Sequence, residues 1–232
     1  MIIVKFCGGL GNQMYQFAML IALQKKYPEQ VIKADISHYK LFEEHNGFEL
    51  SPYFGIKLDY ASYQEVKKVY PGLVPDRSYL FLPWKVRDFI VHRFQWKYNS
   101  ICAKLRPNAA KCTVMEHNWK EKKELLMAGD WYINGMWQDT AYFQDYQKDI
   151  ISAFNMNPEL NEADSNIVRI LKSGEAIAVH VRGGDFLKGK TFNLCGKKYY
   201  NEALNLFTEE KSLYVFTDDS AYAKELLCDY KI

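Results

Sequence analysis

His180, Arg182 and Asp185 stand within one short stretch, with Gly183 and Gly184 between them, directly after the apolar run Ala176-Ile177-Ala178-Val179. Such a run reads as a buried strand. Open α/β sheets hold their ligands at the carboxyl ends of such strands, where the chain leaves the sheet. A guanidinium placed there can grip a phosphate through two parallel hydrogen bonds and keeps its charge near neutral pH. The glycines let a ligand approach the backbone. Asp185 is expected to hold the Arg182 fork in position, and His180 to donate a further hydrogen bond. Taken singly these residues read as solvated charges at a strand end; as a set they read as an anion clamp.

Two further loops carry candidate chemistry. Gly8-Gly9-Leu10-Gly11 lies between the strand-like Ile2–Phe6 and the helical pattern of Met14–Lys26. Free amide N–H groups and the helix dipole favour an anion at such a junction. The loop nearly matches the dinucleotide fingerprint, with Gly9 and Gly11 in place and Asp35 further on, but Met14 occupies the third glycine position. Asn12 and Gln13 add two amides that can hydrogen-bond a sugar or phosphate. A tight turn without a ligand is the other reading of these glycines. Thr217-Asp218-Asp219-Ser220 follows a second apolar strand. Adjacent acids invite Mg²⁺, yet neither a His nor a third acid stands near them at ligand spacing. Helix capping by Asp219 or Ser220, together with hydrogen bonding to a ligand, is the favoured reading, and no metal site is expected. His38, His45, His92 and His117 are scattered and read as structural or surface residues. No Ser/His/Asp or Cys/His arrangement points to covalent catalysis.

The elements that must position these residues follow from the hydrophobic pattern. Residues 2–35 read as a β–loop–α–β unit, the seed of a parallel sheet with a right-handed crossover. Residues 38–75 read as irregular structure with short helices. Tyr132 begins a strand that runs into a loop, and Phe143–Phe154 reads as a helix. A turn-rich break over Asn155–Asn161 precedes a helix near 162–172. Then come a strand at 176–181, a helix over Lys198–Phe207, a strand over Ser212–Phe216 and a helix over Ser220–Leu227. Residues 84–106 form a basic stretch interleaved with aromatics. It fits either a helix packed on its own domain with a solvated basic face, or peripheral contact with an anionic membrane.

Composition narrows the class. A formal net charge of +2 on 232 residues does not call for nucleic acid. Five cysteines without a C-x-x-C pair fit neither a disulfide framework nor a zinc ribbon, and suit a reducing compartment. The opening residues read as a strand rather than a signal peptide, and no apolar run reaches the roughly 18 residues of a membrane span. A cytoplasmic protein is expected, with any contact at the inner face of the membrane made through 84–106.

Four stretches in order resemble glycosyltransferase family 11, the α-1,2-fucosyltransferases: Gly8-Gly9-Leu10-Gly11-Asn12-Gln13-Met14; Gly135-Met136-Trp137-Gln138-Asp139-Thr140-Ala141-Tyr142-Phe143; His180-Val181-Arg182-Gly183-Gly184-Asp185; and Phe216-Thr217-Asp218-Asp219, after Tyr199-Tyr200. The resemblance implies a GT-B-like α/β fold of two Rossmann-type lobes. Residues 1–160 would form the acceptor-side lobe and 161–232 the start of the nucleotide-sugar-binding lobe. It also implies GDP-β-L-fucose as donor, a galactose-containing glycan as acceptor, inversion at the sugar carbon, and neither metal nor cofactor. Arg182 would meet the departing diphosphate, with His180 and Asp185 beside it. Gly8, Gly9, Gly11, Asn12, Gln13, Thr217, Asp218 and Asp219 would bind the donor. Two departures stand out. Gly183 replaces an arginine that these enzymes often carry, and an Asn-Ser-Thr-Phe-Ser-Trp-Trp-like element has no counterpart before Ile232, so an incomplete donor lobe is expected. Two rival readings are a GDP-sugar-binding remnant without catalysis and a nicotinamide-dependent oxidoreductase. Met14 and the lack of a Tyr-x-x-x-Lys pattern argue against the latter.

Overall fold

The computed structural model describes residues 1–41, 47–72, 74, 81–89, 95–154, 161–184, 187, 194–207 and 211–230. The chain divides into two compact units, Met1–Asn157 and Pro158–Ile232.

The first unit is built on strands β1 (Ile2–Lys5), β2 (Ile32–Asp35), β3 (Thr113–Met115) and β4 (Trp131–Asn134), all parallel and in the order β2-β1-β4-β3. Ile2, Ile3 and Val4 are fully buried because β1 is an interior strand covered on both faces. Ile2 and Val4 point into the core formed with helix α1 (Leu10–Lys26), whereas Ile3 packs with Val66, Val69 and Tyr132 on the opposite face. Burying each such side chain is worth about 1.5–3 kcal/mol. Three of them together rival the net stability of a small domain, so a polar replacement in β1 has no cheap refuge. Helix α1 is buried over the whole run Phe17–Leu23, more completely than one amphipathic stripe would require. On the other face the helix Tyr63–Val69 is fixed by a capping box in which Ser62 and Glu65 serve each other's backbone amides.

Three sequence expectations are corrected here. The short edge strand β3 was not expected: its three residues are too few to show a period. The helix expected over Phe143–Phe154 is confined to Gln147–Ala153, because tighter 3₁₀ turns occupy Thr140–Tyr142 and Gln144–Tyr146. The Asp139 carboxylate accepts the Ala141 amide at 2.9 Å and starts the first of those turns. The basic stretch contains two helices, Trp84–Phe89 and Gln95–Leu105, with 90–94 outside the described residues. Among the described residues no helix is long and apolar enough to cross a membrane.

The second unit pairs β5 (Ala176–Val181) with β6 (Ser212–Thr217) in parallel along their full length. The helix Glu162–Ser173 leads into β5; Asn161 caps it by accepting the Asp164 amide at 2.8 Å, and Gly174 ends it in the left-handed conformation. One face of the pair is covered: Val179 and Val181 pack with Tyr200, Ala223, Leu226 and Leu227 from the helices Lys197–Leu204 and Ser220–Leu226. The other face leaves Ala178 and His180 exposed and Phe216 47% exposed.

Candidate functional site

Register explains how distant motifs of the second unit meet. Val181 pairs with Thr217 at the last rung of the β5–β6 ladder. The next residues, Arg182 and Asp218, therefore emerge side by side at the carboxyl ends of both strands. Arg182 Nη1 lies 2.6 Å from Asp218 Oδ2, and the Gly183 amide donates to Asp218 Oδ1 at 2.7 Å. One carboxylate thus fixes both the guanidinium and the backbone that carries it. Sequence reasoning gave the fork-holding role to Asp185; that residue lies outside the described residues, and the described partner is Asp218.

The glycines next to Arg182 are required by this packing. A Cβ on Gly183 would come 2.8 Å from the Asp219 Cβ, so a side chain there would force this packing to shift. Gly184 is left-handed, with φ 47°. Of the two adjacent acids, Asp219 caps the helix Ser220–Leu226 as expected, accepting the Tyr222 amide at 3.0 Å. Thr217 Oγ1 accepts the Asp219 amide at 3.0 Å and so shapes the same turn. A cavity of about 440 Å³ opens beside the pair, lined in part by Ala178, His180, Arg182, Leu194, Tyr199 and Ala203. Its volume lies in the range of small-molecule sites. The Tyr200 hydroxyl donates to the His180 carbonyl at 3.1 Å and steadies its wall; burial, then the nearby Cys195, pushes the Tyr200 phenol above its usual range and keeps it protonated as a donor.

In the first unit the chain leaves β1 toward β2 on one side, while β4 lies on the other, so the carboxyl ends of β1 and β4 form a topological switch point. The glycine loop sits there. Gly8 is left-handed, with φ 78°, and a Cβ on it would fall 2.4 Å from Asn12 Nδ2. Gly9 is the N-cap of α1 without a side-chain cap, and α1 has no acid in its first turn; Gly11 is already helical and faces open space. Gln13 is fully buried. Its Nε2 donates to the carbonyls of Gly8 at 3.0 Å and Gly47 at 2.9 Å, and its Oε1 accepts the Glu49 amide at 2.8 Å. That amide holds the loop in shape, whereas Asn12 stands at its surface and accepts from Gln138 Nε2 at 2.6 Å.

Three residues that sequence reasoning missed complete this junction. Gln16 accepts the Cys7 amide at 3.0 Å and donates to the Gly135 carbonyl at 3.4 Å, tying the ends of β1 and β4 together. Its position one helical turn after Gln13 was the available signal. Glu116 Oε2 accepts the amides of Met136 at 2.9 Å and Trp137 at 3.0 Å, holding Trp137 at φ 58°. Trp137 is fully buried, edge-on to Trp119 and Tyr142, and its indole N–H has no hydrogen-bond partner among the described residues. Nothing local in the sequence links Glu116 to that turn. Tyr132 donates to Asp35 Oδ2 at 2.7 Å, and the Ser37 amide donates to Asp35 Oδ1 at 2.8 Å. Asp35 is only 4% exposed, so the acid that a dinucleotide fingerprint would turn toward a ribose is buried against protein.

Among the described residues no three His, Cys, Asp or Glu side chains converge as metal ligands. The chain thus has Rossmann-like parallel α/β architecture, with a glycine loop at a switch point and an Arg–Asp pair at strand ends. The sequence profile of glycosyl transferase family 11 matches residues 76–230, well over half of the chain, and the chain belongs to that family. It is 26% identical to the alpha-1,2-colitosyltransferase of Escherichia coli over 240 residues, covering 97% of this chain and 71% of that protein. It is 24% identical to the O-antigen biosynthesis glycosyltransferase WbnK of Escherichia coli over 231 residues, covering 94% and 72%. No solved structure matches it.

Proposed function

We propose that this glycosyltransferase moves L-fucose from GDP-β-L-fucose to a galactoside hydroxyl, forming an α-1,2 linkage with inversion and without a metal ion. The observation that carries the reading is Arg182, fixed by Asp218 at the rim of the cavity. The acceptor hydroxyl oxygen would bond to the sugar anomeric carbon, its proton passing to water, as the carbon–oxygen bond to the diphosphate breaks and its electron pair leaves with GDP. Negative charge then grows on the leaving group, and a preorganised cation at that point stabilises the transition state. Asp218 supplies the preorganisation: with its fork already held, Arg182 need not reorient during the reaction. The two units correspond in this reading to the two lobes of a GT-B arrangement. The second unit takes the nucleotide sugar; the glycine loop of the first, with Asn12 at its surface, is that unit's own anion-favouring junction.

A second donor is favoured by one observation: a relative matched over nearly the whole chain is named for colitose transfer. Incubation with GDP-fucose or a colitosyl donor and a panel of galactosides, reading GDP release and the glycosylated product, decides between them. Product with fucose supports the proposal, and product with colitose alone replaces the sugar. GDP binding by calorimetry with no turnover on any acceptor would indicate a binding protein instead. Turnover is expected to survive EDTA. Arg182→Ala is expected to lower kcat about 10²–10³-fold, the usual effect of removing one preorganised charge-stabilising group.

A further inference from the structure

The segment 81–106 carries a second surface, made of none of the residues assigned above to sugar transfer. Its sequence holds six cations (Lys85, Arg87, Arg93, Lys97, Lys104, Arg106) and one acid, Asp88, a net of +5 in a chain whose net charge is +2. The remaining residues together carry −3, so the net positive charge of this protein comes from one stretch. In the helix Gln95–Leu105, residues Lys97, Ser100, Ile101, Lys104 and Leu105 are exposed, whereas Asn99, Cys102 and Ala103 are half-buried. At 3.6 residues per turn the exposed set spans roughly 140° of the helix surface. It is therefore one continuous stripe, with Ile101 56% and Leu105 75% exposed along one side of Lys97 and Lys104. The helix Trp84–Phe89 repeats the arrangement: Lys85 is exposed beside Val86 at 41% and Phe89 at 55%, with Phe81 at 88% just before it. The base of the segment is held firmly. Arg106 donates to the Tyr70 carbonyl at 3.2 Å, and the following turn buries Ala109.

We propose that this apolar and basic surface docks the protein on an anionic lipid bilayer. Exposed aliphatic and aromatic side chains flanked by lysines match the boundary between headgroups and acyl chains, where the apolar groups enter and the ammonium groups stay among the phosphates. The composition points away from a protein partner, because the centres of protein–protein interfaces are depleted of lysine. It also points away from nucleic acid, which would leave the apolar side chains in water. The surface lies wholly within the first unit, and its use does not depend on which sugar is transferred.

Co-sedimentation of the full chain with vesicles tests this, using phosphatidylcholine alone and phosphatidylcholine mixed with phosphatidylglycerol. Binding is expected on the anionic vesicles, weaker on the neutral ones, and falling with added salt. Lys97→Glu with Lys104→Glu is expected to weaken partitioning at least about 25-fold, each lysine near an anionic surface being worth about 5-fold and the reversed charge adding repulsion. Ile101→Ser with Leu105→Ser is expected to weaken it several-fold while leaving turnover on a soluble acceptor unchanged. Lys148→Glu and Lys172→Glu, on exposed positions elsewhere, are the controls and are expected to bind like the parent. No binding to anionic vesicles, equal binding to both lipids, or equal loss in the controls would overturn the proposal. So would light scattering showing that the Ile101/Leu105 variant splits a dimer without changing lipid binding, since a second copy would then be the occupant.

Discussion

Asp218→Ala removes the carboxylate on which the catalytic reading depends. In the folded chain its carboxylate accepts the Gly183 amide at 2.7 Å and pairs with Arg182 at 2.6 Å. Hydrogen bonds to charged groups are worth about 1.5–3 kcal/mol when shielded from water. Here the Arg182 and Asp218 side chains are 41% and 32% exposed, so each contact is discounted to about 1 kcal/mol for screening. Losing both removes about 2 kcal/mol of preorganisation, or roughly a 30-fold fall in kcat/KM. Asp218→Asn keeps an oxygen for the Gly183 amide but turns an NH₂ toward the guanidinium, so about 5–10-fold is expected. The assay is GDP release from GDP-fucose with a galactoside acceptor, measured for the single variants and again in an Arg182→Ala background. If Asp218 acts through Arg182, removing it from a protein already lacking that guanidinium should cost less than about 3-fold. A single variant within 3-fold of the parent, or a 30-fold loss that persists without Arg182, would refute the reasoning.

Three further outcomes follow from the geometry. Gly8→Ala combines a left-handed backbone with a Cβ only 2.4 Å from Asn12 Nδ2, so a loss of about 1–3 kcal/mol is expected, read as a lowered unfolding midpoint in urea. Tyr132→Phe removes the donor to Asp35 Oδ2 and leaves a buried carboxylate oxygen short of a partner; about 1–3 kcal/mol is expected by the same measurement. Glu65 is held down to about 2 by the Lys33 ammonium first and then by the Ser62 amide and hydroxyl. A depressed acid lends its stability above the pKa it has when unfolded, and loses it as pH falls through the folded value. Unfolding free energy should therefore drop between about pH 4.5 and 2, by no more than about 1 kcal/mol for this partly exposed pair, and Glu65→Gln should flatten that part of the profile.

Much of the second unit was legible because its signals are local. The β5 run, the glycines after Arg182 and the helix cap at Asp219 are each written within a few neighbouring residues. The first unit was less so. Gln13 reads as a ligand-facing amide at a helix start, yet it is fully buried and tied to Gly8, Gly47 and Glu49. Its partners at 47–49 are brought in by the chain path and not by spacing. Asp35 similarly lies at the expected distance from the glycine loop, but Tyr132 from a distant strand claims it.

The sequence by itself determined where most of the strands and helices lie and, through four ordered motifs, the family. These are properties of short segments, where hydrophobic period and residue chemistry act within a few positions. Tertiary structure decided pairing. Val181 opposite Thr217 puts Asp218, not a neighbour in the chain, against Arg182, and packs Gly183 so that a side chain there would force a shift. It also decided that Glu116 holds the 135–137 turn, and that the exposed stripe of Lys97, Ile101, Lys104 and Leu105 turns away from the fold. Strand register and helix orientation are set by which faces can be buried together, and that depends on the whole chain at once.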